Sequence, residues 1–167
     1  MRNDVSKDLE RFQNPTPTRP QRSPHKWLVP MYGAKVQYSP NASTAPALDK
    51  RGITCVQIIP GTFLYIARAV DPTILVALNY IGAEQASPTT DTTQKTKMLM
   101  DYAATQPDAV IQFHASNMYL HINSDAAYLV QPKSHSRAAG HFYLSKNPPS
   151  DNVCPTPPPN GPIITKC

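Results

Sequence analysis

Apolar and polar positions change rhythm partway along the chain. Between residues 53 and 103 apolar side chains recur every three or four positions, the period of a helix buried along one face. Val56, Ile59, Phe63, Ile66 and Val70 form the first stripe and predict a helix starting near Ile53. Pro60-Gly61 falls inside that stripe and is expected to kink or break the helix locally, because proline lacks the backbone donor and its ring meets the preceding turn. Asp71-Pro72 is a restart signal, with Asp as N-cap and Pro at the first helical position. Ile74, Leu75, Leu78 and Ile81 make the second stripe. After a turn at Ser87 to Thr90, Asp91 sits where a helix N-terminus favours negative charge. Met98, Leu99, Tyr102 and Ala103 are then expected to face inward on a third helix that stops before Pro107. A shorter helix is predicted over residues 4 to 13 from Val5, Leu9 and Phe12, ended by the run N-P-T-P-T-R-P-Q.

Beyond Pro107 the period becomes two. Val110 to Phe113 is a strand candidate, expected to pair with the strand from Met118 across a turn at Ala115 to Asn117. Met118, Leu120 and Ile122 alternate with Tyr119, His121 and Asn123, the pattern of a half-buried strand, which delivers Asp125 at its end on the polar face. A basic loop carrying Lys133, His135 and Arg137 then turns the chain into a return strand around Gly140 to Leu144, and Ile163 to Lys166 reads as one more. Trp27 to Val29 and Lys35 to Tyr38 are short strand candidates on either side of a Tyr32-Gly33 turn. Three segments follow: a basic arm with short strands (1–50), a three-helix unit (51–107) and a strand-rich unit (108–167).

Composition sharpens that division. The chain has 167 residues, 40% of them hydrophobic, enough for a sizeable core. It also has 19 prolines, about double the usual share of roughly 5%. They concentrate in residues 1 to 50 and 148 to 162, where extended, loop-rich backbone is expected. The net charge of +5 is concentrated in residues 1 to 50. Arg19, Arg22 and Lys26 there suit a polyanion such as nucleic acid, and a solvated tail explains the same charges equally well. Cys55, Cys154 and Cys167 form no CxxC pair and are odd in number, which points to free thiols in a reducing, intracellular compartment, cytoplasmic or nuclear. No apolar leader follows Met1, and no run of 18 or more apolar residues is present.

Several motifs, in order, resemble one lineage. They are LERFQNPTPTRPQ from Leu9, the W-x-x-P-x-Y-G-x-K-V-Q-Y run from Trp27, GTFLYIARAVDPTILVAL from Gly61 and DYAATQPDAVIQFHASNM from Asp101. MYLHINSDAAYL from Met118, SRAAGHFYL from Ser136 and P-P-P-N-G-P-I from Pro157 complete the set. Together they resemble the Pol polyprotein of LTR retroelements, most similarly the copia-like ones, over the bridge from the end of the reverse transcriptase to the start of RNase H. Pro60 and Asn117 depart from the family pattern. The resemblance implies an α+β fold: a helical reverse-transcriptase tail, then a truncated RNase H-like antiparallel hairpin or sheet, with Pro-rich extended ends. It implies RNA–DNA hybrid as partner, together with the remainder of the polyprotein, and Mg²⁺ or Mn²⁺ as cofactor.

The chemistry implied is metal-assisted phosphodiester hydrolysis, in which two divalent cations clamp the attacking and leaving oxygens. Hard cations require several oxygen ligands, and Asp125 matches the first of the family's four carboxylates. The resemblance places the next on a helix beyond Cys167; after Asp125 this chain carries only Asp151. The polymerase motif Y-x-D-D is absent from these residues. The expectation is a Pol fragment that is catalytically silent by itself. Lys133 and Arg137 match positions that contact the nucleic-acid backbone in related domains, or else belong to a solvated hairpin loop. A lone strand-end Asp, without the flanking motifs, reads as a turn or cap. His114, His121, His135 and His141 lack ligand spacing and read as ordinary histidines. The rival readings are a domesticated or relic nucleic-acid-binding module without catalysis, and a translated pseudogene.

Overall fold

A computed structural model describes residues 2–26, 43–131, 135–146 and 160–166. Among them the chain forms four α-helices and a three-stranded antiparallel sheet, a mixed α+β architecture. The strand candidates at Trp27 to Val29 and Lys35 to Tyr38, with Lys133, Asp151, Cys154 and Cys167, lie outside the described residues.

Helix α1 (Arg2–Arg11) lays Leu9 into the core, with Val5 and Phe12 packed against it. Its end is set by backbone bonds from Gln13 N–H to Glu10 C=O (2.9 Å) and from Asn14 N–H to Leu9 C=O (3.0 Å). This pattern needs a left-handed residue at Gln13, whose φ is 54°. Asn14 then donates to Asp101 of α4 at 3.2 Å. The first part of the basic segment is thus part of the helical unit.

Helix α2 (Lys50–Ala69) starts at an Asp49 cap, three residues before the expected Ile53, and runs through Pro60 without a break. Of the expected kink or break, the break does not occur. Proline inside a helix costs about 3 kcal/mol, whereas burying a large apolar side chain contributes roughly 1.5–3 kcal/mol. Val56 and Ile59 on one side of Pro60 and Phe63 and Ala67 on the other are all buried, so the stripe holds the helix together across the missing bond. Among the described residues, α2 is the one helix long and apolar enough to cross a membrane by length and hydropathy, and its apolar stripe is engaged in this core.

Asp71 restarts the chain as anticipated. Its carboxylate accepts from the Thr73 N–H (3.1 Å) over a 3₁₀ turn, Pro72–Ile74, that leads directly into α3 (Leu75–Glu84). Ile74, Leu75, Leu78 and Ile81 are all buried. On helix α4 (Thr90–Thr105) Leu99 is buried and Tyr102 and Ala103 pack against the core as expected, while Met98 departs from the expected inward set. Thr92, Thr96, Leu99 and Met100 are its buried residues, and Met98 is only half-buried. The threonines are satisfied locally, which is why they can be buried. Thr92 Oγ1 accepts from the Thr89 N–H (3.0 Å) and donates to Glu84 (2.8 Å), while Thr96 Oγ1 donates to the Thr92 carbonyl (2.8 Å). Glu84 also pairs with Lys95, so the α3–α4 junction is polar.

Residues 107–118 form no strand, contrary to the expectation for Val110 to Phe113. Val110 and Phe113 are exposed, and the segment has no ladder partner among the described residues. β1 (Tyr119–Gln131) pairs with β2 (His135–Ser145), and β2 with β3 (Pro162–Lys166), in the order β1-β2-β3. The register Leu120↔Leu144 and Ile122↔Phe142↔Ile164 places these five on one face. Gly140 leaves room on that face for the Phe142 ring, 2.9 Å from where a Cβ would stand. Leu120, Ile122 and Ile164 are about half exposed (56%, 55% and 49%), so the apolar face points outward instead of being half-buried. The other face, carrying Tyr143 and Arg137, turns toward the helices; among the described residues Tyr143 is the sheet's one buried apolar side chain.

Because the core cluster is otherwise wholly helical, amides in residues 54–104 are expected to exchange more slowly than those in 118–144. Phe63→Ala should cost about 3–5 kcal/mol. Hydrogen exchange and urea melting measure the two effects; equal strong protection in both regions would show that the sheet is independently stable.

Candidate nucleic-acid interface

Asp125 lies in mid-strand, not at a strand end, because pairing continues through Ala126↔Ala138 and Ala127↔Arg137 to Gln131↔His135. Alternation puts it on the helix-facing side with His121 and Asn123, although at the outer strand it remains exposed. Its Oδ1 accepts from the Ala126 N–H at 2.8 Å. No group of three or more His, Cys, Asp or Glu capable of holding a metal occurs among the described residues. The donor set around Asp125 therefore does not fit a cation pair.

Arg137 is a strand residue of β2, where a loop position was expected. The long hairpin draws it into the sheet, opposite Ala127 and one diagonal step from Asp125. The two do not form an ion pair. Instead the guanidinium lies over the Tyr80 ring of α3, 4.3 Å from its centroid, a cation–π distance. Nε and Nη2 are buried there without a hydrogen-bond partner, as is the Thr165 hydroxyl on the same face of β3.

The basic arm reaches the same ring from the other end of the chain. Gln21 is fastened to the end of α4, its N–H donating to Thr105 Oγ1 (3.1 Å) and its carbonyl accepting from Thr105 Oγ1 (3.2 Å) and Gln106 Nε2 (3.3 Å). Pro24 is buried, and the His25 ring stands 5.9 Å from that of Tyr80. Arg22 and Lys26, which flank this anchored stretch, are on the accessible side of the arm, as is Arg19. Tyr80 thus brings Arg137 and His25 together from far-apart stretches of sequence, with Arg22 and Lys26 exposed on the same anchored arm. Arg19 is held to it only through the chain.

Tyr80 was not singled out by sequence, since it lies beside the α3 stripe and only its contacts distinguish it. Asn160 was also missed, although the Asn-Gly pair within P-P-P-N-G-P-I is a turn signal. Its amide donates to the His114 (2.9 Å) and Leu144 (2.6 Å) carbonyls and accepts from the His114 N–H (2.7 Å). This side chain does for the His114 backbone what a neighbouring strand would have done. Gly161 permits the approach: a Cβ there would lie 2.7 Å from the Gln112 carbonyl oxygen and the Phe113 ring. The clasp forms one wall of an open cleft of about 550 Å³ that also meets Asp71, Thr73 and Tyr102, and its lining includes neither Asp125 nor Arg137.

His121 and His141 make ordinary contacts. His121 Nε2 lies 3.1 Å from the Lys146 carbonyl, and the His121 and His141 rings both pack beside Tyr143. No protein-family model matches the chain, and neither does any curated protein or solved structure.

Gly161→Ala should push the 112–114 segment off the clasp, and Asn160→Ala should strip that segment of its bonds at a cost of about 1–3 kcal/mol. Both variants are expected to be cut faster than the parent between residues 107 and 118 in limited proteolysis. Unchanged cleavage would mean that the clasp does not restrain the segment.

Proposed function

We propose that the chain is a segment of a retroelement Pol polyprotein, joining the end of a reverse transcriptase to the start of an RNase H domain. In the intact protein it would help grip an RNA–DNA hybrid and contribute one metal carboxylate, Asp125. The observation that carries this reading is the order of the sheet: a first strand bearing Asp125, an antiparallel partner, and a third strand paired to the second. The outward apolar face of Leu120, Ile122 and Ile164 also suits a sheet that packs against further structure of a larger domain.

The described residues supply too few oxygen ligands for two divalent cations, so the segment by itself is proposed to be silent in catalysis. The second reading, a nucleic-acid-binding module without chemistry, is favoured by the accessible Arg19, Arg22 and Lys26. Deleting residues 1 to 50 cannot test it, because α1 is part of the core.

The purified chain is expected to leave the RNA of an RNA–DNA hybrid intact in Mg²⁺ or Mn²⁺. Cleavage abolished by Asp125→Asn would overturn the proposal of a silent segment. Binding to duplex or hybrid should weaken steeply with salt. Replacing Arg19, Arg22 and Lys26 together with alanine should flatten the slope of log affinity against log salt by about 1 for each phosphate that is no longer neutralised. An unchanged slope would place the contacts elsewhere.

A further inference from the structure

Arg137 presents a question that neither the grip on a hybrid nor the packing of the sheet answers. A guanidinium does not lose its charge in a protein, and a buried charge without partners is costly. Its two orphaned nitrogens, Nε and Nη2, form one edge of the planar group. That edge is a fork of parallel N–H donors that matches two oxygens of a carboxylate or phosphate. Among the described residues no acidic side chain answers it: Asp125, the carboxylate nearest in register, is engaged with the Ala126 N–H. The flanking positions on the same face, Ala127 and Ala139, offer no side-chain acceptor. His25 packs against the same Tyr80 ring, and the partnerless Thr165 hydroxyl lies further along the same face of the sheet, opposite His141.

We infer that the Nε–Nη2 edge of Arg137, held over Tyr80, is a binding site for one phosphate group, free or at the end of a chain. Phosphate suits it better than carboxylate, because two oxygens can engage the fork while the remaining oxygens and second charge stay available to nearby donors. Both nitrogens are closed to solvent, so an ion reaches the fork only when the groups that cover it move aside. The inference stands without the retroelement reading, since it uses only the fork, its burial and its surroundings.

The test uses the full 167-residue chain, with ionic strength held constant by sodium chloride. Inorganic phosphate should shift the Arg137 Nε–H resonance in a saturable manner and raise the melting temperature. Arg137→Lys keeps a positive charge but lacks the fork, and should bind phosphate about tenfold or more weakly. A short oligonucleotide should shift the resonance only when it carries a 5′-phosphate; if inorganic phosphate acts and the phosphorylated oligonucleotide does not, the site takes the free ion. The inference is overturned if phosphate leaves the resonance unmoved, if acetate moves it equally, or if the unphosphorylated oligonucleotide does so. Equal phosphate stabilisation of Arg137→Lys would also overturn it. Should that variant fail to fold, the resonance titration of the unaltered chain decides.

Discussion

Phe63 and its neighbours on α2 leave water only by packing against the helices that follow, and the other helices take their places around that contact. Val56, Ile59, Phe63 and Ala67 make one continuous buried stripe, which meets Ile74, Leu75, Leu78 and Ile81 of the next segment and Leu99 and Met100 of α4. The stripe is strong enough to carry a proline in its middle. Once α2, α3 and α4 are fixed, the end of α4 offers Thr105 and Gln106 to the incoming arm, and α3 offers the Tyr80 ring to the sheet. α1 closes the cluster through Leu9 and ties itself to α4 through Asn14 and Asp101.

The sheet depends on this helical unit more than the helical unit depends on the sheet. It buries Tyr143 and stacks Arg137 on Tyr80, while Asn160 joins it to the irregular connection from α4. Its outward face keeps Leu120, Ile122 and Ile164 in water. A three-stranded sheet with one apolar face in solvent and a charged residue on the other obtains little stabilisation from burial. The ladder bonds and the buried tyrosine hold it in place.

The candidate chemistry follows from the same geometry. Asp125 and Arg137 share a face and lie diagonally across the β1–β2 ladder, yet each is engaged elsewhere. The carboxylate stays at the open edge, where a solvated group costs little. The guanidinium is drawn inward by an aromatic ring that takes its flat face but cannot satisfy its edge, since a π-face accepts charge and not in-plane N–H groups. The accessible arm and the buried fork are thus separate features that meet at Tyr80.

The helices were legible in the sequence because their information is local. The stripe of α2, the Asp71-Pro72 start of α3 and the period-two run from Tyr119 each sit within a few residues of what they specify. Proline at position 60 misled because a local penalty was weighed without the tertiary burial that offsets it. On α4 it is Met100 that turns inward, with Thr92 and Thr96, where the pattern pointed to Met98; a buried threonine is recognisable only when its hydroxyl's partner is known. Val110 to Phe113 alternates like a strand, but a strand exists only when another backbone lies beside it, and here only the next residue, His114, is bonded, by the side chain of Asn160. Sequence by itself determined the four helices, the strands that form the sheet and the placing of Asp125 on a strand, though not its mid-strand position. Tertiary structure alone decided that Arg137 turns inward to Tyr80, that the arm meets it there, and that the apolar face of the sheet looks outward, because each depends on surfaces brought together from distant parts of the chain.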